Sequence, residues 1–252
     1  MKKLVMAMVV STAFATSFTT NLASAQGMMA ASAAPVHVMT YNAALTSDYR
    51  FRGLSQSRLK PAVSAGADYT HTPTGFYLGT WLSTIKWTKD LGGDGNIEID
   101  IYGGKRGELV PNVSYDIGVL TYVYPSNSLP TSANTTELYG QLGYGPVYIK
   151  YSGTVTDAFG TPDSKGSGYL DIGANIDMAA GFILNLHAGR QYIKNNNFYS
   201  YNDYKIGVTK DFGFATGALA VIGTDAKNGA YPTPSGKDNG KTGLIATISK
   251  TF

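Results

Sequence analysis

From Tyr41 to the end of the chain, apolar and polar residues alternate with a period of two, and few folds accept that pattern. Val63, Ala65, Ala67 and Tyr69 oppose Ser64, Gly66, Asp68 and Thr70; Ile97, Ile99 and Ile101 oppose Glu98, Asp100 and Tyr102; Leu170, Ile172, Ala174 and Ile176 oppose Tyr169, Asp171, Gly173 and Asn175. Successive side chains of a strand point to opposite faces of a sheet, so each run reads as a strand with one apolar and one polar face. Twelve runs are predicted, at 40–52, 62–71, 76–87, 96–105, 113–124, 135–145, 147–155, 168–177, 181–193, 201–212, 214–223 and 241–252. Most have the roughly 9–11 residues that a tilted strand needs to cross a bilayer. Connectors are long after odd-numbered runs and short after even-numbered ones, with 106–112 the one blurred case. Long loops at one end and tight turns at the other are the connectivity of an outer-membrane barrel. The run Phe76 to Trp87 is apolar on both faces, so its facing stays open.

Alternation also fits a soluble β-sandwich or a lipocalin-like barrel, because the pattern does not say which face meets water. Three features weigh against those folds. The polar faces carry Gly and mid-strand charges, which are costly inside a packed core. Tyr and Trp recur near strand ends, as in interfacial girdles. The chain stops at Phe252, an aromatic carboxyl-terminal residue closing a strand (GLIATISKTF), as outer-membrane barrels often do. Charged residues make up 15% of the chain, against roughly 25% in an average soluble domain. No apolar stretch after the N-terminal segment is long enough for a spanning helix; the longest, Phe214 to Gly223, is broken by Thr216 and Gly217. The expected fold is all-β: a transmembrane antiparallel up-and-down β-barrel of about 12 strands.

The first segment reads as an address. Lys2 and Lys3 form a positive start, Leu4 to Phe18 is apolar or small, and Ala23-Ser24-Ala25 offers a cleavage site. The expected organisation is a signal peptide at 1–25, a flexible periplasmic tail at 26–39 and the barrel at 40–252. Loss of Lys2 and Lys3 leaves 18 basic against 17 acidic residues, too even a balance for a nucleic-acid partner. Absence of Cys removes disulfide scaffolds, thiolate zinc sites and cysteine nucleophiles.

The stretch NAALTSDYRFRGLSQSRLKPAVSAGADY (Asn42 to Tyr69) resembles the opening of the TorF porin family, a bacterial family long described as of unknown function. GFYLGTWLSTIKW, YDIGVLTYVYP, TTELYGQLGYG, DSKGSGYLDIGANID and PSGKDNGKTGL are similar to it in the same order, so nearly all of the chain after the leader is covered. The resemblance implies an outer-membrane location and a pore, and carries over no functional residue. Lys250 departs from it, standing where such barrels more often have an aromatic residue.

The residues expected to line a pore are Asp48, Arg50, Arg52, Asp68, Glu98, Asp100, Asp116, Glu137, Lys150, Asp171, His187, Asp203 and Lys205. Leaving aside His187, eight are acidic and four basic, which predicts a weak cation preference. Asp48, Arg50 and Arg52 are expected to point inward from one strand, either as an anion site or as an ion-paired network. The expected function is passive diffusion of small hydrophilic solutes or ions. The alternatives are a non-conducting structural barrel or one that binds or adheres through its 224–240 loop. A lipid hydrolase would need a His beside a Ser on the lipid-facing surface. His37 falls in the tail, His71 at a turn and His187 on the polar face, and no G-x-S-x-G is present, so no catalytic role is expected. No cofactor or metal is expected either, since Asp90 to Gly95 and Asp225 to Gly229 read as turn chemistry. Expected partners are outer-membrane lipid, the barrel assembly machinery through the strand ending in Phe252, and the solutes themselves.

Overall fold

The computed structural model describes residues 35–252. The expected leader and most of the expected tail lie outside the described residues.

Twelve antiparallel strands close into one barrel, each paired with its neighbours in sequence. They are β1 (His37–Thr46), β4 (Ala62–His71), β5 (Phe76–Thr84), β6 (Ile97–Val110), β7 (Val113–Val123), β8 (Thr135–Tyr144), β9 (Val147–Thr154), β10 (Gly168–Asp177), β11 (Phe182–Tyr192), β12 (Tyr201–Asp211), β13 (Thr216–Thr224) and β14 (Gly243–Thr251). The two remaining strands, β2 (Arg50–Phe51) and β3 (Leu54–Ser55), form a separate small hairpin. One helical turn, α1 (Trp87–Asp90), lies in the loop after β5. Pairing of β1 with β14 closes the barrel from Asn42↔Thr251 to Thr46↔Thr247. At the seam Phe252 exchanges both backbone hydrogen bonds with Tyr41, at 2.8 and 3.1 Å.

The barrel is apolar outside and polar inside. Leu78 (59% exposed), Ile101, Ile117, Leu138, Ile206 (60%) and Leu244 (65%) stand on the outer face of six different strands. Between them, on the same strands, Glu98, Asp100, Asp116, Glu137 and Asp203 point inward and are at most 3% exposed. Such a continuous apolar exterior is untenable in water and is what a hydrocarbon layer requires, because closure leaves no unpaired strand edge. A soluble sandwich or lipocalin-like barrel, with its greasy face inward, is thereby excluded. Phe76, Tyr144, Phe212, Phe214 and Phe252 are exposed around the short-turn end and form an aromatic ring there.

Three sequence expectations need correction. Strand β1 ends at Thr46 rather than at residue 52 and begins at His37, inside the expected tail. Its His37 is paired with His71, and its Nδ1 lies 2.8 Å from the Tyr69 hydroxyl. Strand β6 runs to Val110 and turns at Pro111-Asn112 into β7, so 106–112 is mostly strand and the short-turn rule holds without exception. Finally, neither Trp belongs to a girdle: Trp81 points into the barrel at 7% exposure, and Trp87 lies in a loop. The facing of β5 is settled by the same pattern, with Tyr77 and Trp81 inside and Phe76, Leu78 and Leu82 outside.

Turn geometry ties the short-loop end together. Gly75 has φ +72°, and a methyl group there would overlap the Arg106 carbonyl oxygen, which lies against it because the Arg106 amide donates to the Gly75 carbonyl. Gly75→Ala is expected to lower stability by about 1–2 kcal/mol from the backbone alone, read as a lower urea midpoint for the folded barrel.

Candidate functional site

Thr46 and Ala62 face each other as register partners of β1 and β4. Two residues would suffice to turn between them; the chain instead inserts 47–61 and folds it into the barrel. Tyr49 is fully buried, and Asp48, Arg50, Ser55 and Ser57 are at most 6% exposed. Arg52, Arg58 and Leu59 take left-handed backbone at φ 47°, 62° and 58°, a conformation that costs non-glycine residues energy and persists only where surrounding contacts impose it.

Two arginines fix this hairpin. Arg50 Nε donates to Asp48 Oδ2 at 2.6 Å, and its Nη1 donates to the carbonyls of Gly53 (2.9 Å), Asn239 (3.0 Å) and Lys241 (3.0 Å). Asp48 Oδ1 also accepts from Ser55 Oγ (2.5 Å) and Ser57 Oγ (3.1 Å). Arg52 Nη2 grips both oxygens of Glu137 at 3.0 and 2.7 Å, and its Nη1 donates to Gln191 Oε1 at 2.8 Å. The Arg52 guanidinium lies 4.2 Å over the Tyr169 ring and 4.7 Å over that of Phe51. The expected inward charges of this segment are therefore inside the barrel, on a folded-in plug and not on a barrel strand, and they form a network and not an open anion site. Arg58 pairs with Asp90 of α1, so Asp90 serves more than a turn.

Around the plug the lumen wall has two characters. On β4 to β8, carboxyls meet tyrosines: the Tyr77 hydroxyl donates to Asp116 Oδ1 at 2.6 Å and accepts from the Tyr139 hydroxyl, while Tyr102 donates to Asp68 Oδ1 at 2.7 Å. Tyr49 donates to Glu98 Oε1 at 3.3 Å. Glu98 and Asp100 are each 1% exposed, with no cation paired to either among the described residues. On β9 to β12, His187 Nδ1 lies 2.8 Å from Asp171 Oδ1 and its Nε2 2.6 Å from Asp203 Oδ1. The Tyr169 hydroxyl donates to Asp203 Oδ2 at 2.9 Å. His187 thus bridges the two carboxyl groups through both of its ring nitrogens.

A cavity of about 140 Å3 lies against the plug on this second side and is lined by Asp48, Arg50, Arg52, Lys150, Asp171, His187, Asp203 and Lys205. Asp68, Glu98, Asp100, Asp116 and Glu137, though inward, do not line it. A second cavity, of about 570 Å3, opens among the long loops beyond the plug, with Phe51, Trp87, Leu129, Phe159, Tyr199 and Tyr231 in its wall. Phe51 borders both spaces, so the plug separates an aromatic vestibule from a charged lumen.

The reading of the sequence missed Arg106, which points inward from the far part of β6, its guanidinium 4.8 Å over Tyr77 and its Nη2 donating to Thr70 Oγ1 at 3.1 Å. The alternation of Lys105, Arg106, Gly107 and Glu108 carries no apolar member, so period two gives no sign of the strand there. It missed the plug itself because Tyr49 and Phe51 alternate with Asp48, Arg50 and Arg52 as though still in β1.

A model of a bacterial family of unknown function, Gcw_chp, matches residues 30–252. The chain belongs to the Gcw_chp family. No curated protein sequence matches this Gcw_chp chain. Among solved structures it is similar to a barrel described under "Unveiling the Mechanism Behind the in-meso Crystallization of Membrane Proteins", at TM-score 0.51 and 9% identity over 85% of this chain and 83% of the other. LpxR from Salmonella typhimurium follows at TM-score 0.41 and 10% identity, over 84% of this chain and 99% of that one. OprD from Pseudomonas aeruginosa gives 0.38 and 8%, over 85% and 66%. At these identities the first likeness is one of fold alone.

Proposed function

We propose that this Gcw_chp barrel sits in the outer membrane, delivered there by its cleaved leader, and is a narrow channel for small hydrophilic solutes whose throat is the 47–61 plug. The observation that carries the reading is the plug: fifteen residues stand where a two-residue turn would close the hairpin, and they fill a lumen lined with charge. Twelve strands lie between the size at which side chains fill a barrel and the size at which an open channel remains. A polypeptide folded inside such a barrel narrows an aqueous path without a change in strand number. The TorF resemblance, which implies a pore, agrees with this reading. His187 and its two carboxylates face the lumen, away from lipid, so we assign them no catalytic role.

The test is single-channel current from the folded protein in a planar bilayer. Discrete ohmic steps are the expected result. A folded barrel that stays silent would move the reading to a binding or adhesive barrel, for which the aromatic vestibule is the natural site.

Selectivity follows the charges that line the path and not the count over all strands. Glu98, Asp100, Asp116 and Glu137 are buried in the wall, while the cavity is lined by Asp48, Asp171 and Asp203 against Arg50, Arg52, Lys150 and Lys205. In a KCl gradient the reversal potential is therefore expected to be small and of the anion-selective sign. A clear cation-selective potential would instead place the ion path along the β4 to β8 wall, past Asp68 and Asp116.

A further inference from the structure

We infer that the lumen cavity between Lys150 and Lys205 is a binding site for a small oxyanion of the carboxylate or phosphate class. The inference deepens the channel reading, which supplies its purpose: the bound anion is a solute in transit.

Among the charged groups lining this cavity, every carboxylate already has a partner. Asp48 is held by Arg50, Ser55 and Ser57. Asp171 and Asp203 are turned onto the two nitrogens of His187, at 2.8 and 2.6 Å. The two lysines are in the opposite position. Lys150 is only 6% exposed, yet among the described residues it makes no ion pair or hydrogen bond, its ammonium resting 4.1 Å from the centre of the Tyr139 ring. Lys205, the half-buried register partner of His187, likewise makes neither among the described residues. Asp171 is the register partner of Lys150, and Asp203 shares its face of β12 with Lys205. The two carboxylates that would have neutralised these lysines are thus committed to His187.

Asp171 stands within electrostatic reach of both lysines, and Asp116 and Glu137 within reach of Lys150, but none closes an ion pair with either among the described residues; a bound anion supplies the direct contact these ammonium groups lack. Each ammonium offers up to three N–H donors and no acceptor, which suits oxygen-rich anions better than any cation or neutral apolar solute. The cavity, at about 140 Å3, has room for several waters or for a small oxyanion carrying some of its own. Arg52 lines the same space but is clamped on Glu137, so it contributes field and not a free donor.

The test is titration calorimetry and thermal unfolding of the detergent-solubilised folded protein with inorganic phosphate and with succinate, each at fixed ionic strength balanced by chloride. Saturable binding is expected for at least one of the two. Lys205→Gln and Lys150→Met are each expected to weaken it about tenfold or more, the size of one lost charge-assisted contact. Lys210→Gln, on the outer face of the same strand as Lys205, is expected to leave it unchanged. Circular dichroism and heat-modifiable gel mobility establish that each variant is folded. Absence of saturable binding, or binding that both lysine variants retain, overturns the site. Conductance measured on the same preparation separates the two proposals. Saturable binding in a silent barrel sinks the channel and keeps the site; ohmic steps with no saturable binding keep the channel and sink the site.

Discussion

Replacing residues 47–61 with an Asn-Gly turn is expected to raise single-channel conductance several-fold while leaving the barrel intact. Thr46 and Ala62 are already opposite each other, and Asn-Gly supplies the two positive-φ residues of a type I′ hairpin turn whose twist matches the strands. The registered pairs of the β1–β4 and β1–β14 ladders lie outside the excised segment, which takes with it one bond at the ladder's end, from the Ser47 amide to the Ala246 carbonyl at 2.9 Å. What is lost is the packing of Tyr49 against Trp81, ring centres 5.3 Å apart, and of Phe51 against Tyr122, also 5.3 Å, together with the Arg52–Glu137 pair, whose carboxylate the incoming water solvates. Water that replaces them will meet Glu98, Asp100 and Glu137, so the variant is expected to turn cation-selective as well as more conductive. Unchanged conductance in a folded variant would place the constriction elsewhere and remove the plug from the mechanism.

Arg52→Ala is expected to be the most damaging single change in the lumen. It leaves Glu137, 1% exposed, without its bidentate partner. Removing one member of a buried ion pair costs about 3–5 kcal/mol, mostly as the burden of the stranded charge. Arg52→Lys keeps a charge but neither the two-point grip nor the flat stacking on Tyr169 and Phe51, so it is expected to fall between wild type and alanine. The double variant Arg52→Met with Glu137→Leu removes both charges together and is expected to recover most of the loss. Urea unfolding measures the barrel, and trypsin cleavage after Arg58 measures whether the plug has let go. A protease-resistant Arg52→Ala plug of wild-type stability would show that the pair does not hold the segment.

The wall of this barrel is legible in the sequence because a membrane barrel obeys a strict rule: one face meets lipid and the other meets water, at every second residue. Runs 62–71 and 168–177 coincide with β4 and β10 to the residue. Where both faces meet the same surroundings the rule goes blind. Tyr49 and Asp48 both lie inside the lumen, so their alternation carries no information about a sheet. The cue available was length, since a run over 40–52 exceeds what a bilayer needs, while β1 is 10 residues long. Past the bilayer the rule lapses again: Lys105, Arg106 and Glu108 extend β6 into a zone where no apolar face is demanded. The pairing of His187 with two carboxylates, and hence the two unpaired lysines, depends on register across four strands. No local pattern encodes it.

The partners of the plug are scattered through the chain. Arg50 reaches carbonyls at 239 and 241, and Arg52 reaches side chains at 137 and 191. Contacts so distant in sequence are entropically expensive and form late. Only a completed cylinder brings β8, β11 and the last loop within reach of one short hairpin. The plug is therefore expected to dock after the cylinder has closed, so that assembly passes through a hollow barrel.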